Sequence, residues 1–218
     1  MFIHQHPYKP YIPETADKLI VGTIPPPRFS TGKLFPEDVN FCYGSKYGLL
    51  WPILDTIYDL DLNYRNELTA VSQRKRFLND FNIGICDMVE RCEREKKDAS
   101  DLGMGNIITR DLLGYLKTYK RIKTLLFMGG NSKNGPEYLF RRHLKKYGIQ
   151  FEQVTSKNPR IHEFNLQGRT IRAISLVSPS NAANRSIGAN PIFKRVKLKK
   201  ETYTTLQFRI DQYRDFFT

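Results

Sequence analysis

Residues 18–27 have the sequence KLIVGTIPPP, and this stretch indicates the fold class. Leu19, Ile20 and Val21 follow one another without polar alternation, which is typical of a strand buried on both faces. Gly22 and the prolines of residues 25–27 then end the regular structure. The stretch therefore predicts a buried strand that runs directly into a loop.

Similar short apolar runs recur along the chain, separated by segments with helical periodicity. Further buried strands are predicted at 83–86, 124–128 and 172–176, with an edge strand at 149–154. Helices are predicted at 49–58, 72–81, 106–117, 136–147 and 202–217. Pro52 fits the first turn of its helix, and Trp51 lies on an apolar helical face and is predicted to be core. This alternation predicts an α/β fold: three α/β/α layers around a mostly parallel sheet of four or five strands.

The length of 218 residues suits one well-buried domain. No linker, repeat or low-complexity tract divides the chain, so a single domain is expected over 1–218. Its core would cover about 18–186, followed by a basic segment and a closing helix at 189–218. We find no run of about 18 apolar residues and no signal pattern at the start, and we expect a cytoplasmic protein.

The chain is strongly basic. It has 35 Lys and Arg against 22 Asp and Glu, a net charge of +13 and a pI near 9.7. Such a balance suits a polyanionic partner, above all nucleic acid, and the alternative is a basic surface without a partner.

Cysteine and histidine patterns do not favour a metal site. The three cysteines are Cys42, Cys86 and Cys92, an odd number without a Cys-x-x-Cys spacing, which argues against a disulfide framework, a zinc ribbon or an iron–sulfur cluster. His4 and His6 form a His-x-His pair without an evident third ligand. We therefore expect no metal.

Three loops rich in Gly, Pro, Ser and Asn follow the predicted strands, at residues 22–27, 129–135 and 177–185. Such residues make fixed, non-repetitive turns. Ligands of parallel sheets bind beyond the carboxyl ends of the strands, so the three loops are expected to converge on one cleft. The alternative is that they are connectors only.

Several motifs occur in the order found in the uracil-DNA glycosylase superfamily. They are Val21-Gly22-Thr23-Ile24-Pro25-Pro26, Cys42-Tyr43-Gly44, Leu49-Leu50-Trp51-Pro52-Ile53-Leu54, and Ser178-Pro179-Ser180-Asn181-Ala182-Ala183-Asn184. The segment Gly84-Ile85-Cys86-Asp87-Met88-Val89, with Cys92, Arg94, Ser100 and Asp101, resembles the hypoxanthine-DNA glycosylase branch. The resemblance covers about residues 18–185.

The resemblance implies that the protein flips a nucleotide out of DNA and breaks the base–sugar bond without a cofactor. It places the base pocket at Gly22, Thr23, Ile24, Pro25, Phe41 and Tyr43. It implies DNA contacts from Ser178, Pro179, Ser180, Asn181, Asn184 and Arg185. The basic run that follows supplies Lys194, Arg195 and Lys197 for phosphate contacts, with Lys199 and Lys200 beyond.

Three positions depart from the family's chemistry. Ile24 stands where an Asp or Asn usually orients water, Ser178 stands at a position often filled by His, and Met128-Gly129 replaces an Asn-Gly pair. Asp87 and Asn131 are candidate catalytic substitutes, although Asp87 also suits a helix N-cap and Asn131 a turn.

These observations leave three hypotheses. The first is a glycosylase that removes a deaminated base (uracil or hypoxanthine) from DNA, and the second is a non-catalytic DNA-binding relative. The third is a small α/β enzyme acting on a nucleotide or another phosphorylated molecule. A monomer is assumed.

Overall fold

A computed structural model describes residues 1–98 and 100–218 of the chain. Within these residues the chain forms nine strands, in the order β1 (Phe2–Gln5), β2 (Lys18–Gly22), β3 (Ile83–Asp87), β4 (Val89–Arg94), β5 (Met104–Thr109), β6 (Thr124–Phe127), β7 (Glu152–Thr155), β8 (Arg160–Leu166) and β9 (Arg169–Ser175). The helices of the same residues are α1 (Pro27–Ser30), α2 (Leu50–Tyr58), α3 (Leu68–Asp80), α4 (Leu112–Thr118), α5 (Pro136–Lys146), α6 (Asn184–Ala189), α7 (Pro191–Lys199) and α8 (Thr205–Phe217).

The main sheet has the strand order β3-β2-β6-β9-β8-β7. The first four of these strands are mutually parallel, and β8 and β7 add antiparallel pairs at one side. Strand β2 lies between β3 and β6, as its continuous apolar sequence predicts. The mostly parallel sheet is therefore confirmed, although it has six strands rather than four or five.

Helices cover both faces of this sheet, which confirms the three-layer α/β/α fold. Alternate residues of β2 serve opposite layers: Leu19 and Val21 pack with α4 and α5, whereas Ile20 packs with α2, α3 and α8. All three side chains are fully buried. Each fully buried side chain of this size contributes about 1.5–3 kcal/mol, so the sheet's centre holds the layers together.

The predicted helix at 106–117 is wrong over its first half. Residues Met104–Thr109 form β5, which pairs with β4 in a separate antiparallel sheet of order β1-β4-β5. Asn106 adopts a left-handed φ of 43°, which interrupts helical geometry. Helix α4 begins only at Leu112, where the Asp111 side chain caps it by accepting from the Gly114 N–H at 3.0 Å. Strand pairing has overridden the local periodicity.

Strand β8 is absent from the sequence-based prediction. Its buried positions alternate, but one of them is His162, so the apolar alternation that marks a strand is interrupted in the sequence RIHEFNL. Its partner β9 pairs with it over seven residues. The edge strand at the end of the sheet, β7, begins at Glu152 rather than at residue 149. Helix α3 begins at Leu68 rather than at residue 72, and β9 begins at Arg169 rather than at residue 172. The closing helix α8 spans most of the predicted segment 202–217.

A small apolar cluster, separate from the two layers that cover the sheet, holds the C-terminal basic segment in place, and we call it the third cluster. Ile187 of α6, Phe193 of α7, Phe208 of α8 and Tyr203 pack together, with Val196 against them. Helix α7 is thereby anchored by one face and keeps its other side chains in solvent. No helix among the described residues is long and apolar enough to cross a bilayer.

Candidate functional site

A cavity of about 1000 Å³ opens beyond the carboxyl ends of the parallel strands. The loops that follow β2, β6 and β9 all contribute to its wall, so the three loops converge as predicted. Residues from 43–48 and from the β7–β8 connection at 156–160 complete the lining. Tyr43, Ile24 and Ser178 line this one cavity together.

The side chain of Tyr43 packs closely against the backbone of Gly22 at the end of β2. It has a left-handed φ of 57°, and its hydroxyl lies where a Cβ on Gly22 would be. The same space is occupied by an Asp87 carboxylate oxygen, so only glycine fits at position 22. Gly22 therefore lies behind the pocket and does not line it.

Burial, reinforced by the nearby Asp87 carboxylate, raises the pKa of Tyr43 well above its ordinary value, and the phenol stays protonated.

Phe41 does not reach the cavity, which corrects its prediction as a pocket residue. Its ring packs against Tyr11 and Trp51, with centroids 6.1 and 6.2 Å away, and only 6% of its surface is exposed. The indole of Trp51 donates to the Cys42 carbonyl at 2.8 Å and is fully buried, as predicted for a core residue. Phe41 therefore belongs to the apolar core behind the cavity. Tyr43, with its left-handed φ, lines the cavity itself.

Asp87 lies at the end of β3 and lines the cavity. The chain continues directly toward β4, so Asp87 does not cap a helix. Its Oδ2 atom is 2.8 Å from Nε2 of His6, and both side chains are buried. The Tyr8 backbone N–H donates to His6 Nδ1 at 3.1 Å. The proton of a neutral ring is therefore on Nε2, and His6 donates it to Asp87.

A second carboxylate, that of Asp101, also lines the cavity. The Thr23 hydroxyl donates to Asp101 Oδ2 at 3.1 Å, which joins this residue to the loop after β2. Burial raises the pKa of Asp101 to about 6. This value includes the opposing effects of the Thr23 bond and Arg94, which lower the pKa, and of the nearby Asp87 carboxylate, which raises it. Asp101 therefore changes its charge near pH 6.

Asn131, the other predicted catalytic residue, is exposed, and it is not among the described residues that line the cavity. Met128, Gly129 and Ile24 do line it. The neighbouring Asn134 is buried instead, and its amide donates to the carbonyls of Asp101 and Met104 at 3.0 and 3.2 Å. The loop after β6 is thus tied to the segment that carries Asp101.

The loop after β9, at residues 177–185, carries Ser178-Pro179-Ser180, and we call it the Ser-Pro loop. It is fixed from two sides. The Leu49 N–H donates to the Pro179 carbonyl at 2.9 Å, and Gly48 bridges to Ser180. From the other side, the fully buried Arg209 of α8 donates to the carbonyls of Ser178 and Ser180 at 2.9 and 2.7 Å. Arg209 also donates to Oδ1 of Asn184 at 2.9 Å.

The predicted DNA-binding residues fall into two groups. Ser178, Pro179 and Ser180 line the cavity, whereas the remainder lie beyond it: Asn181, Asn184, Arg185, Lys194, Arg195 and Lys197. Lys194 and Arg195 are exposed on α7. Lys197 donates to the carbonyls of Glu201 and Tyr203 at 3.0 and 3.1 Å, so its ammonium is bonded to the segment that follows α7.

Metal ligands do not gather in the part of the chain that the structure describes, where no group of three His, Cys, Asp or Glu could hold an ion. Cys42, Cys86 and Cys92 are free and buried. His4 accepts from the Arg94 guanidinium at 2.9 Å, and burial together with Arg94 lowers the pKa of His4 to about 4. The two histidines of the His-x-His pair therefore have separate partners.

Sequence reasoning missed His6 and Asp101 as site residues. His6 is 81 residues from Asp87, and Thr23 is 78 residues from Asp101. The available signal for Asp101 was its place in the resembled segment that begins at Gly84, where it was named without a role. His6 was noted only as part of the His-x-His pair. The residues at 156–160 carried no such signal, and the β7–β8 pairing brings them to the cavity.

The solution NMR structure of a "putative Uracil DNA glycosylase" from Methanosarcina acetivorans has the same fold, with a TM-score of 0.58. The likeness covers 99% of this chain and 97% of that chain at 15% sequence identity. No known family matches the sequence, and no curated protein matches it either. The comparison thus establishes a uracil-DNA glycosylase-like fold, which agrees with the motif order along the chain.

Proposed function

We propose that this protein is a DNA glycosylase that hydrolyses the bond between the sugar and a deaminated base after flipping the nucleotide. The observation that carries the proposal is the meeting of Tyr43 and the His6-bonded Asp87 in one cavity at the carboxyl edge of the sheet. The fold shared with the Methanosarcina protein supports the same class of activity.

The cavity is large enough for an extruded nucleotide, since small-molecule sites are commonly about 300–1000 Å³. Flipping costs a few kcal/mol, and stacking in the pocket offsets this cost. Tyr43 offers the aromatic surface, and its protonated hydroxyl can also donate a hydrogen bond. The left-handed turn at Tyr43 holds the ring in place before the base arrives.

Asp87 is the proposed water-orienting carboxylate. In the hydrolysis, the water oxygen bonds to C1′ of the sugar while the C1′–N bond breaks, and the bonding electron pair leaves with the base. The carboxylate of Asp87 accepts the proton that the water loses. His6 donates to the other side of this carboxylate and keeps its orientation. This arrangement supplies, from β3, the function that Ile24 cannot perform.

The departing base carries negative charge, which hydrogen-bond donors stabilise. The backbone N–H groups of Thr23 and Ile24 make no hydrogen bond to any other described residue. Both residues line the cavity, and we expect their amides to donate to the base. Backbone donors do not depend on the side chain, and the presence of Ile24 therefore leaves this contribution intact.

Outside the cavity, the Ser-Pro loop and α7 are the proposed DNA grip. Ser180 Oγ accepts from the Ala182 N–H, so its own hydroxyl proton remains available for a phosphate oxygen. Lys194 and Arg195 are exposed and can add phosphate contacts. The sum of such contacts would supply most of the affinity for DNA.

A non-catalytic DNA-binding relative is the second candidate. The substitution of Ile24 and Ser178 at positions where the resembled family carries polar catalytic groups favours it. Under this alternative the cavity would hold a flipped base without breaking its bond, and Asp87 would have only a structural role.

An oligonucleotide cleavage assay separates the candidates. Duplex and single-stranded DNA containing uracil, hypoxanthine or a mismatched thymine is incubated with the protein and then treated with alkali. We expect strand scission at one modified base. Asp87→Asn should lower the rate by about 10²–10⁴-fold, the usual contribution of general acid–base catalysis, with little loss of binding.

Asp80→Asn is the matched control because Asp80 is exposed and its carboxylate pairs with the exposed Arg76. It should cleave at the wild-type rate. Salt-sensitive DNA binding without scission at any of these bases would favour the non-catalytic candidate. The absence of both would contradict both DNA functions.

A further inference from the structure

An exposed aromatic pair lies at the rim of the cavity, outside the proposed base pocket. Phe35 and Tyr47 have 41% and 59% of their surface exposed, and their rings meet edge to face with centroids 6.4 Å apart. Tyr47 and the neighbouring Arg28 also line the cavity. We call Arg28, Phe35, Lys46 and Tyr47 the rim platform.

Two cations accompany these rings. Lys46 Nζ lies 4.4 Å from the Phe35 centroid and 5.4 Å from that of Tyr47. The Arg28 guanidinium lies 5.0 Å from Phe35 and 5.8 Å from Tyr47. Arg28 is paired with Asp38 at 2.7 Å and Lys46 with the exposed Glu37 at 3.3 Å, so the platform carries no excess positive charge. Its recognition feature is the exposed ring surface, which suits a ligand with a flat π face such as an unpaired base.

The rim platform is held rigid by one buried carboxylate. Asp38 is fully buried and accepts from Arg28 Nε and Nη2, both at 2.7 Å. It also accepts from the backbone N–H groups of Phe35 and Lys46, both at 2.9 Å. Burial acts to raise the pKa of Asp38, but these bonds lower it below its ordinary value, so the carboxylate stays ionised.

Further bonds extend this order to Tyr47. Ser45 Oγ accepts from Arg28 at 2.7 Å and from the Tyr47 N–H at 3.2 Å. All four members of the platform are therefore joined through Asp38 or Ser45. A surface arranged before binding loses little conformational entropy when a ligand arrives, which is typical of a recognition surface.

We propose that the rim platform stacks an unpaired base beside the extruded nucleotide, so that the protein binds single-stranded DNA in preference to duplex. The proposal rests on the proposed DNA function and adds the form of the substrate. In a duplex, the bases next to the flipped nucleotide remain stacked and paired, and their faces are covered. In a single strand, the adjacent base can turn its face to Tyr47.

The test measures affinity for one oligonucleotide sequence without a modified base, as a labelled single strand and as a duplex. Wild type should bind the single strand more tightly. Tyr47→Ala should weaken single-strand binding about ten-fold, the typical loss of one base–aromatic stack, and leave duplex binding within about two-fold. Tyr47→Phe keeps the ring and should bind like wild type.

Tyr147→Ala is the matched control. Tyr147 is 55% exposed but lies at the far end of α5, away from the cavity. It should leave both affinities unchanged. If Tyr47→Ala does not fold, Tyr47→Leu compared with Tyr47→Phe separates the loss of the ring from the loss of bulk.

The result that overturns the rim platform is an equal affinity for the two DNA forms, or a Tyr47→Ala loss that is absent or the same on both. Strand scission by the same variants separates this outcome from the proposed activity. Scission without a strand preference removes the platform alone. A Tyr47-dependent single-strand preference without scission supports the platform and removes the hydrolysis.

Discussion

Asp87 and Asp101 line the same cavity but are held by different partners. Asp87 accepts a hydrogen bond from buried His6, whereas Asp101 accepts one from the Thr23 hydroxyl. Burial raises the pKa of Asp101 to about 6, so above that pH the folded protein keeps an ionised carboxylate in a partly buried position. This costs stability, a common feature of functional sites.

The cost at Asp101 predicts a pH-dependent effect of Asp101→Asn. The pKa is raised on folding from about 4, so the carboxylate opposes folding fully above about pH 6 and not at all below about pH 4. The change in pKa corresponds to about 3 kcal/mol, and each kcal/mol shifts the melting temperature of a chain of this size by roughly 2–4 °C, so Asp101→Asn should raise the melting temperature at pH 8 by several degrees. The gain should shrink as the pH falls and vanish near pH 4.

Thermal unfolding from pH 4 to pH 8 measures this gain, with the exposed Asp215→Asn as the control. A gain of equal size at every pH would show that the pKa of Asp101 is unchanged by folding.

Among the secondary-structure elements, α8 positions the Ser-Pro loop through a single side chain. Arg209 is fully buried, yet its guanidinium faces three acceptors of that loop and the Thr205 carbonyl at 3.0 Å. The loop has no helix or strand of its own before the short turn Asn181–Ala183. The closing helix therefore contributes to the site although it lies far along the chain.

Arg209→Met removes these bonds and should loosen the loop. Since a hydrogen bond from a charged group contributes about 1.5–3 kcal/mol, the free energy of unfolding should fall by about 3 kcal/mol. DNA affinity should fall at least about ten-fold in the variant that remains folded. Urea unfolding and DNA titration measure the two effects.

Arg214→Met is the control, since Arg214 is exposed on the same helix. Arg209→Lys should lie between wild type and Arg209→Met because it keeps the charge but cannot reach all the acceptors. DNA affinity unaffected by Arg209→Met would contradict the positioning role.

For the protein as a whole, the net charge of +13 matters only through its distribution. Exposed cations occur on α7, which the third cluster anchors beside the Ser-Pro loop, and also at the C-terminal end of α5. The first group is near the proposed DNA path, and the second is at the opposite end of a helix that begins at the cavity.

The two groups should differ in their effect on salt dependence. Replacing Lys194, Arg195 and Lys199 by Gln should reduce the slope of log affinity against log salt by about 0.9 for each DNA phosphate that is no longer neutralised. Replacing Arg142, Lys145 and Lys146 by Gln removes the same charge and should change the slope little. Equal changes in both variants would indicate a general charge effect without a defined path.

Local sequence patterns were enough to specify the layers and the edge at which the site forms. Continuous apolar runs such as residues 19–21 mark strands buried on both faces, and the Gly- and Pro-rich loops mark where they end. Because parallel strands end at the same edge, the convergence of those loops followed from local patterns alone. These features depend on burial and turn chemistry, which each short segment carries within itself.

Which side chains meet in the cavity depends on the packing of the folded chain. Local periodicity predicted a helix through residues 106–109, where pairing with β4 makes a strand. The left-handed turn and the core contacts separate Tyr43 from Phe41, and β1 and the chain after it carry His6 to Asp87. Such contacts join residues far apart in the chain, and their geometry depends on strand register and packing, which no single segment contains.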